Sequence, residues 1–139
     1  MFEEFFSGAE AVFALNLLLS LAMGYIIGAE RESKGKSAGI STQCLVIAGS
    51  MTFSYLSSLM INDPARIAAG IVTGVGFLGA GIIFHQSKDK VVNLTTAATL
   101  WLAAGIGMAL GFGYYVIAIS AALFAIIALR IPHMGKIKK

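Results

Sequence analysis

The side chains best suited to chemistry lie at the ends of apolar stretches. Seven carboxylates could bind a metal ion or transfer protons: Glu3, Glu4, Glu10, Glu30, Glu32, Asp63 and Asp89. None lies near the middle of an apolar stretch, where an ion pathway across a membrane usually carries an ionisable group. Because Mg²⁺ takes oxygen ligands, Glu30 is the best candidate for a metal ligand, but the pattern does not favour cation transport.

Catalytic groupings are missing from this sequence. His85 and His133 have no Ser, Cys or carboxylate placed to pair a nucleophile with a base. Cys and His do not cluster as zinc ligands, and no GxxxxGK[ST] motif indicates a nucleotide. The sequence therefore predicts a protein that is not an enzyme and that needs no cofactor, with Mg²⁺ left open as a ligand or a signal.

The composition is typical of an integral membrane protein. Hydrophobic residues make up 58% of the 139 residues and charged residues only 12%, about half the charged fraction of a soluble domain. The basic residues lie between apolar spans and not on one polar face, which argues against nucleic-acid binding. The sequence predicts one all-α domain, residues 1–139, built as a bundle of about five transmembrane helices. The predicted spans are residues 11–29, 43–61, 66–84, 94–110 and 114–131.

The basic residues predict the orientation of the bundle. Five spans place the two termini on opposite sides of the membrane. Of the ten Lys and Arg residues, all but Arg66 fall on the side that holds the C-terminus. By the positive-inside rule the C-terminus is cytoplasmic and the N-terminus lies outside.

The third span is unusually rich in glycine. It reads RIAAGIVTGVGFLGAGIIF and carries no charge after Arg66. Soluble helices rarely tolerate so many glycines, whereas small residues let membrane helices approach one another. The glycines fall on two opposite sides of a helix, so we expect this span to lie at the centre of the bundle. The predicted packing positions are Gly70, Gly74, Gly76, Phe77, Gly79 and Gly81.

The first span carries a stripe of small residues, Ser20, Gly24 and Gly28, at four-residue spacing. Such a stripe is a packing surface for another helix, either inside the bundle or in a dimer, and internal packing is the preferred interpretation. Asn16 is the strongly polar residue in the first half of this span. An interhelical hydrogen bond is its preferred role, and a substrate contact is the alternative.

Charged residues at the ends of the spans leave alternatives open for their role or for their partner. Glu30 and Arg31 form either a solvated interfacial anchor or a site in which Glu30 is held inside the mouth of the bundle by Arg31 or a loop lysine. On the opposite side, Arg66 is expected to pair with Asp63 or Glu10. Asp63 is also placed to cap the third span, with Pro64 at its first position.

The fourth span begins with a run of hydroxyl-bearing residues, NLTTAATLW. Asn93 is expected to cap the helix, while Thr95 and Thr96 bond to its backbone. The alternative is that an anion or a lipid phosphate docks at this helix start, beside the lysines of the preceding loop. Trp101 is expected to serve packing rather than function.

Four motifs in order resemble the membrane domain of the MgtC/SapB family. They are GAERE at 28–32, AGIST at 38–42, ARIAAGIVTGVGFLGAGII at 65–83 and LTTAATLW at 94–101. Each motif is weak alone, but the four together are specific. The matching positions are Glu30, Arg31, Gly39, Thr42, Arg66, the glycines of the third span with Phe77, Thr95, Thr96 and Trp101.

The resemblance implies a multi-pass protein of the bacterial inner membrane that acts in the response to magnesium limitation and in virulence. It favours a regulator that binds another membrane protein, such as the F-type ATP synthase, within the lipid bilayer. The alternatives are a transporter or channel for Mg²⁺ or another cation, with Glu30 at its mouth, and a self-associating scaffold or homo-oligomer.

The sequence departs from the family pattern in three places. Ser41 stands where the family usually has Arg, which removes a charge. Val92 and Asn93 stand where the family usually has a basic residue followed by Gly. Longer members carry a soluble C-terminal domain, so this chain, which stops at Lys139, is expected to be a short member or a shortened form, and functions of that domain are not transferred to it.

Overall fold

The described residues of the chain fold into five α-helices. The computed structural model describes residues 8–60, 63–84 and 92–132, and these contain α1 (Gly8–Glu32), α2 (Ile40–Leu59), α3 (Pro64–Phe84), α4 (Leu94–Gly111) and α5 (Tyr115–Arg130), with no strand. One helix corresponds to each predicted apolar span, which confirms the all-α bundle. The second polar loop with His85, Lys88 and Lys90 and the basic tail from His133 lie outside the described residues. The orientation of the bundle, which depends on these charges, stays a prediction.

The described helices differ in how well they suit a bilayer. Gly8–Glu32, Pro64–Ile83 and Leu94–Gly111 are long and apolar enough to cross a membrane, and Tyr115–Arg130 is a shorter apolar helix. The second helix carries Gln43 and several hydroxyl-bearing residues, which lower its hydropathy. In the bundle four of these polar side chains are buried: Gln43, Ser50, Ser54 and Ser57. The helices therefore form a membrane-embedded bundle whose outer surface contacts lipid.

The central helix of the bundle is α4. It packs against all four other helices, and ten of its 18 residues are buried. Its large buried side chains, Leu100, Ile106 and Leu110, are at most 1% exposed. The expectation that the glycine-rich third helix lies at the centre is therefore wrong.

The third helix lies at the edge of the described bundle, in contact with α2 and α4. Its bulky stripe, which includes Ile71 and Val75, packs against Leu100 and Ala104 of α4. Most of its glycines consequently face outward, and a Cβ added at them would have no neighbour within 4 Å: Gly70, Gly74, Gly76 and Gly81.

Two of the predicted packing positions of α3 behave differently from these four glycines. Gly79 contacts α4, since its added Cβ would lie 3.4 Å from the Cβ of Ala97. Phe77 is 81% exposed, so its side chain has little contact with the described residues. Lipid is as apolar as a leucine side chain, so hydrophobicity alone does not decide which stripe of an apolar helix turns inward.

The closest helix contacts run along α2. A Cβ on Gly24 or Gly28 would lie within 3.0 Å of backbone atoms of Cys44 or Ile40. On the other side of α2, a Cβ on Gly107 would collide with the backbone carbonyl of Ile47, and Gly111 makes a similar approach. The stripe of α1 is thus used for packing within the chain, and the second glycine contact comes from α4.

Buried polar groups connect α1 to α4 near the C-terminal end of α4. Asn16 is 1% exposed, and its side-chain amide donates a 3.1 Å hydrogen bond to the carbonyl oxygen of Leu110. Ser20 donates to the carbonyl oxygen of Asn16 at 2.8 Å. Asn16 therefore makes the interhelical hydrogen bond that was the preferred interpretation, at a carbonyl near the end of α4 that also accepts the backbone N–H of Gly113.

The starts of α3 and α4 are built differently. The Asp63 carboxylate accepts the backbone N–H of Arg66 at 3.2 Å, and Pro64 is the first helical residue, as the sequence predicts. Asn93 precedes α4 with φ 62° and ψ 20°, and its side chain makes no capping hydrogen bond. Capping side chains normally act from an extended backbone, so the predicted side-chain cap by Asn93 is wrong.

Candidate functional site

Four chain segments meet at one end of the bundle, which we call the basic end. They are the last turn of α1, the 33–39 connection, the first turn of α4 and the last turn of α5. Between them lies a cavity of about 430 Å³. Its charged lining residues are Glu30, Arg31, Lys34, Lys36 and Arg130, so four cationic side chains face one carboxylate.

Arg31 is the most unusual residue of the basic end because it is a charged side chain that is only 2% exposed. Its Nη2 donates to Thr96 Oγ1 at 2.5 Å and to the carbonyl oxygen of Ser37 at 2.6 Å. Its Nη1 donates to Thr99 Oγ1 at 3.2 Å. The guanidinium group therefore joins α1 to the 33–39 connection and to α4, and its planar fork suits several acceptors at once.

The backbone of the 33–39 connection is shaped to meet Arg31. Gly35 has φ +60°, the left-handed conformation that commonly ends a helix. Ala38 also has a positive φ of 57°, which costs about 1 kcal/mol for a residue with a Cβ. In return, Arg31 Nε donates to the carbonyl oxygens of Ser37 and Ala38 at 3.0 and 3.1 Å. Gln43 donates to the Ala38 carbonyl as well, at 3.2 Å.

The α4 side of the site is a pair of hydroxyls on adjacent turns. Thr96 and Thr99 are three residues apart and so share one face of the helix, and both are buried. Thr99 donates to the carbonyl oxygen of Thr95 at 2.7 Å, which leaves its oxygen free to accept from Arg31. Thr95 itself is exposed and lines the cavity.

Glu30 forms the outer rim of the cavity and bridges two helices. One carboxylate oxygen lies 2.9 Å from Lys34 Nζ, and the other lies 2.9 Å from Arg130 Nη2 and 3.0 Å from its Nε. Lys34 also donates to the carbonyl oxygen of Leu129 at 2.5 Å. Glu30 is therefore held by Lys34 and Arg130 and not by Arg31. A metal ion at Glu30 would have to displace these cations, and the described residues contain no group of three or more His, Cys, Asp or Glu side chains.

Replacing Glu30 by glutamine is expected to lower the thermal unfolding temperature only slightly, because both cationic partners are exposed to solvent and exposed ion pairs contribute little. The difference from wild type should be visible in low salt and vanish in high salt. Circular dichroism melting of the detergent-solubilised protein at two salt concentrations measures this. A large, salt-independent loss would contradict a solvent-screened bridge.

Other residues singled out in the sequence do not line the cavity at the basic end. Arg66 is exposed and, among the described residues, forms no ion pair with Asp63 or Glu10. It lines an apolar space of about 670 Å³ between α2 and α3, which we call the lateral groove. Thr42 lies at the opposite end of this groove. The groove is lined mainly by apolar and small residues: Leu45, Val46, Gly49, Phe53, Ile67, Gly70, Ile71, Gly74, Val75 and Leu78.

Trp101 projects from the outside of α4 and is 58% exposed. The expected packing role inside the bundle is therefore wrong, because the inward stripe of α4 passes through Leu100 and Ala104. Trp101 instead forms part of the apolar outer surface.

The sequence interpretation missed several residues of the site. A loop lysine was one of the predicted partners of Glu30, and the structure shows that it is Lys34. Thr99 was missed, although its three-residue spacing to Thr96 could have indicated it. The contact of Arg130 with Glu30 joins residues that are 100 positions apart, and no local pattern signals it. Among the predicted site residues, the structure brings together Glu30, Arg31, Asn93, Thr95 and Thr96.

Comparison with known proteins identifies the family. Residues 17–134, which include the basic end and most of the bundle, match the MgtC family. The chain belongs to the MgtC family. The resemblance inferred from the four sequence motifs is thereby confirmed, and the MgtC family is a family of membrane proteins.

Several MgtC-family relatives are similar to this chain over most of its length. Protein MgtC of Salmonella typhimurium strain LT2 is 44% identical over 118 residues, covering 84% of this chain and 50% of that protein. Protein SapB of Bacillus subtilis strain 168 is 40% identical over 127 residues, covering 84% and 54%. A protein named putative magnesium transporter YhiD, from Escherichia coli K12, is 39% identical over 133 residues, covering 88% and 61%.

The present chain spans about half the length of these MgtC-family relatives, since the matches cover 50–61% of each. What the relatives do as whole proteins therefore concerns this chain only as a proposal. No solved structure gives a significant match to the chain.

Proposed function

We propose that this chain is a regulatory protein of the bacterial inner membrane that binds another membrane protein during magnesium limitation. The candidate partner is the F-type ATP synthase. The basic end would face the cytoplasm, in line with the positive-inside rule. The observation that carries the proposal is the outward glycine stripe of α3, formed by Gly70, Gly74 and Gly81, at which an added Cβ would meet no atom within 4 Å.

The physical basis is that a bare backbone surface suits close packing of another transmembrane helix. In a bilayer, helices associate through van der Waals contact between small residues, because lipid exclusion gives no hydrophobic driving force. The lateral groove extends this surface, since Gly70 and Gly74 form one wall and Gly49 and Phe53 of α2 contribute to the other. A partner helix lying in the groove would cover both walls.

The interior of the bundle supports binding rather than transport. The buried polar side chains of the described residues are Asn16, Ser20, Arg31, Gln43, Ser50, Ser54, Ser57, Thr96 and Thr99. This set contains no carboxylate, and Mg²⁺ sites usually use one or two. Glu30, the carboxylate at the rim, is already paired with two cations.

The proposed partner surface can be tested by filling the lateral groove. Gly74→Leu is expected to leave the bundle folded, because its added Cβ meets no atom within 4 Å, and to abolish co-purification of the ATP synthase from bacterial membranes. Gly105→Leu is the matched control, since Gly105 also faces open space but lies on α4 outside the groove.

The functional readout is ATP-driven proton pumping in inverted membrane vesicles. Wild type and Gly105→Leu should reduce pumping, and Gly74→Leu should not. If the folded wild-type protein neither co-purifies with the ATP synthase nor reduces proton pumping, the ATP synthase is not the partner.

A cation transporter is the second candidate, favoured by the name of one relative, putative magnesium transporter YhiD of Escherichia coli K12. Uptake of Mg²⁺ into proteoliposomes that disappears in Glu30→Gln would establish transport through a rim site. No uptake into vesicles that hold folded protein would remove this candidate.

A further inference from the structure

The cavity at the basic end carries an excess of positive charge that the described residues do not balance. Its one carboxylate, Glu30, already binds Lys34 and Arg130. The next carboxylate along the chain, Glu32, accepts the backbone N–H of Ile40 at 2.9 Å and so caps the start of α2. Within the described part of the chain, neither Arg31 nor Lys36 has a carboxylate within ion-pair distance.

Among the described residues, the lack of a countercharge matters most for Arg31 because its side chain is buried. Its acceptors are two hydroxyls and two backbone carbonyls, which are neutral. Removing a cation from water costs several kcal/mol unless an anion or a dense set of hydrogen bonds compensates. Here hydrogen bonds position the guanidinium group, while its net charge remains unneutralised by the described residues.

The start of α4 adds a second positive element to the same cavity. Leu94, Thr95 and Thr96 of the first turn line it, and Asn93 provides no side-chain cap to this turn. The first N–H groups of an 18-residue helix carry a partial positive charge and lack intrahelical acceptors. Helix starts of this kind bind phosphate and carboxylate groups.

We propose that the cavity at the basic end binds a phosphate oxyanion. Guanidinium and ammonium groups that converge with helix N–H groups are the donor set that phosphate prefers, and a net positive lining disfavours a metal ion. Arg31 holds the inner wall, Lys36 and Arg130 contact the phosphate from the outer side, and the α4 start supplies N–H donors. The phosphate is either part of a lipid headgroup or a free phosphate ion. Both can reach the cavity because it lies at an end of the bundle.

The test uses the whole chain in nanodiscs of the uncharged glycolipid digalactosyldiacylglycerol, because this lipid carries no phosphate that could occupy the site. In one arm, inorganic phosphate is titrated and the heat of binding is recorded. In the other arm, phosphatidylglycerol is added to the discs, and native mass spectrometry counts the lipids retained by each protein. Saturable binding in the first arm identifies free phosphate as the source, and retention of one lipid in the second arm alone identifies a headgroup. Either result supports the site.

The matched variants are Lys36→Gln and Arg66→Gln, which remove one charge each at opposite ends of the bundle. Neither side chain makes an ion pair among the described residues, so both proteins should fold. Loss of Lys36 should weaken binding about tenfold, the effect of one charge-assisted hydrogen bond, whereas loss of Arg66 should change it less than about twofold. Equal effects of the two variants, or no saturable binding in either arm, would overturn the site and leave a solvated basic anchor.

Discussion

Gly107→Ala is expected to destabilise the protein by about 3 kcal/mol, at the upper end of the cost of overpacking a core. The added Cβ would collide with the Ile47 carbonyl and lie 2.9 Å from the Cβ of Ser50. Because backbone cannot yield as a flexible side chain does, α2 and α4 must separate. Ile47 and Ile106, both 0% exposed, would then lose contacts. Thermal and chemical unfolding in detergent, followed by circular dichroism, measures the loss.

The control for this prediction lies in the same helix. Gly105 is two residues earlier, and a Cβ added there meets nothing within 4 Å. Gly105→Ala should therefore leave stability unchanged or raise it by up to about 1 kcal/mol, the difference in helix propensity between the two residues. Equal destabilisation by both changes would contradict the close α2–α4 contact.

Arg31→Gln is expected to destabilise the basic end by about 3 kcal/mol, because buried acceptors left without a donor each cost about 1–3 kcal/mol. The acceptors concerned are Thr96, Thr99 and the carbonyls of Ser37 and Ala38. Amide hydrogen exchange should rise most in the 33–39 connection, whose backbone is held by the guanidinium group. Unfolding in detergent gives the total loss, and exchange followed by mass spectrometry locates it.

Two further variants separate the charge of Arg31 from its geometry. Arg31→Lys keeps the charge but loses the fork of donors, so it should recover only part of the stability. Arg66→Gln removes a cation that is exposed and should change stability by less than about 1 kcal/mol. If Arg31→Gln were as mild as Arg66→Gln, Arg31 would not be the buried connector of α1 and α4.

Local patterns in the sequence determined the helices and several of their contacts. Apolar length predicted five helices, and Asp63 with Pro64 marked where α3 begins. The four-residue spacing of Gly24 and Gly28 marked the face of α1 that approaches α2. Each of these features depends on residues near one another in the chain, since capping and helical faces repeat over one or two turns.

Only the tertiary structure decided which helix is central and how the charged residues are used. The glycines of α3 identified a surface for close packing but not its partner, and in lipid both a small and a bulky apolar stripe are tolerated on the outside. The choice of α4 as the centre depends on contacts with all four other helices. Likewise, the sequence placed Glu30 and Arg31 side by side, but folding directed Arg31 inward to Thr96 and Thr99 and Glu30 outward to Arg130. These partners are 65 to 100 residues away, so neither spacing nor composition specifies them.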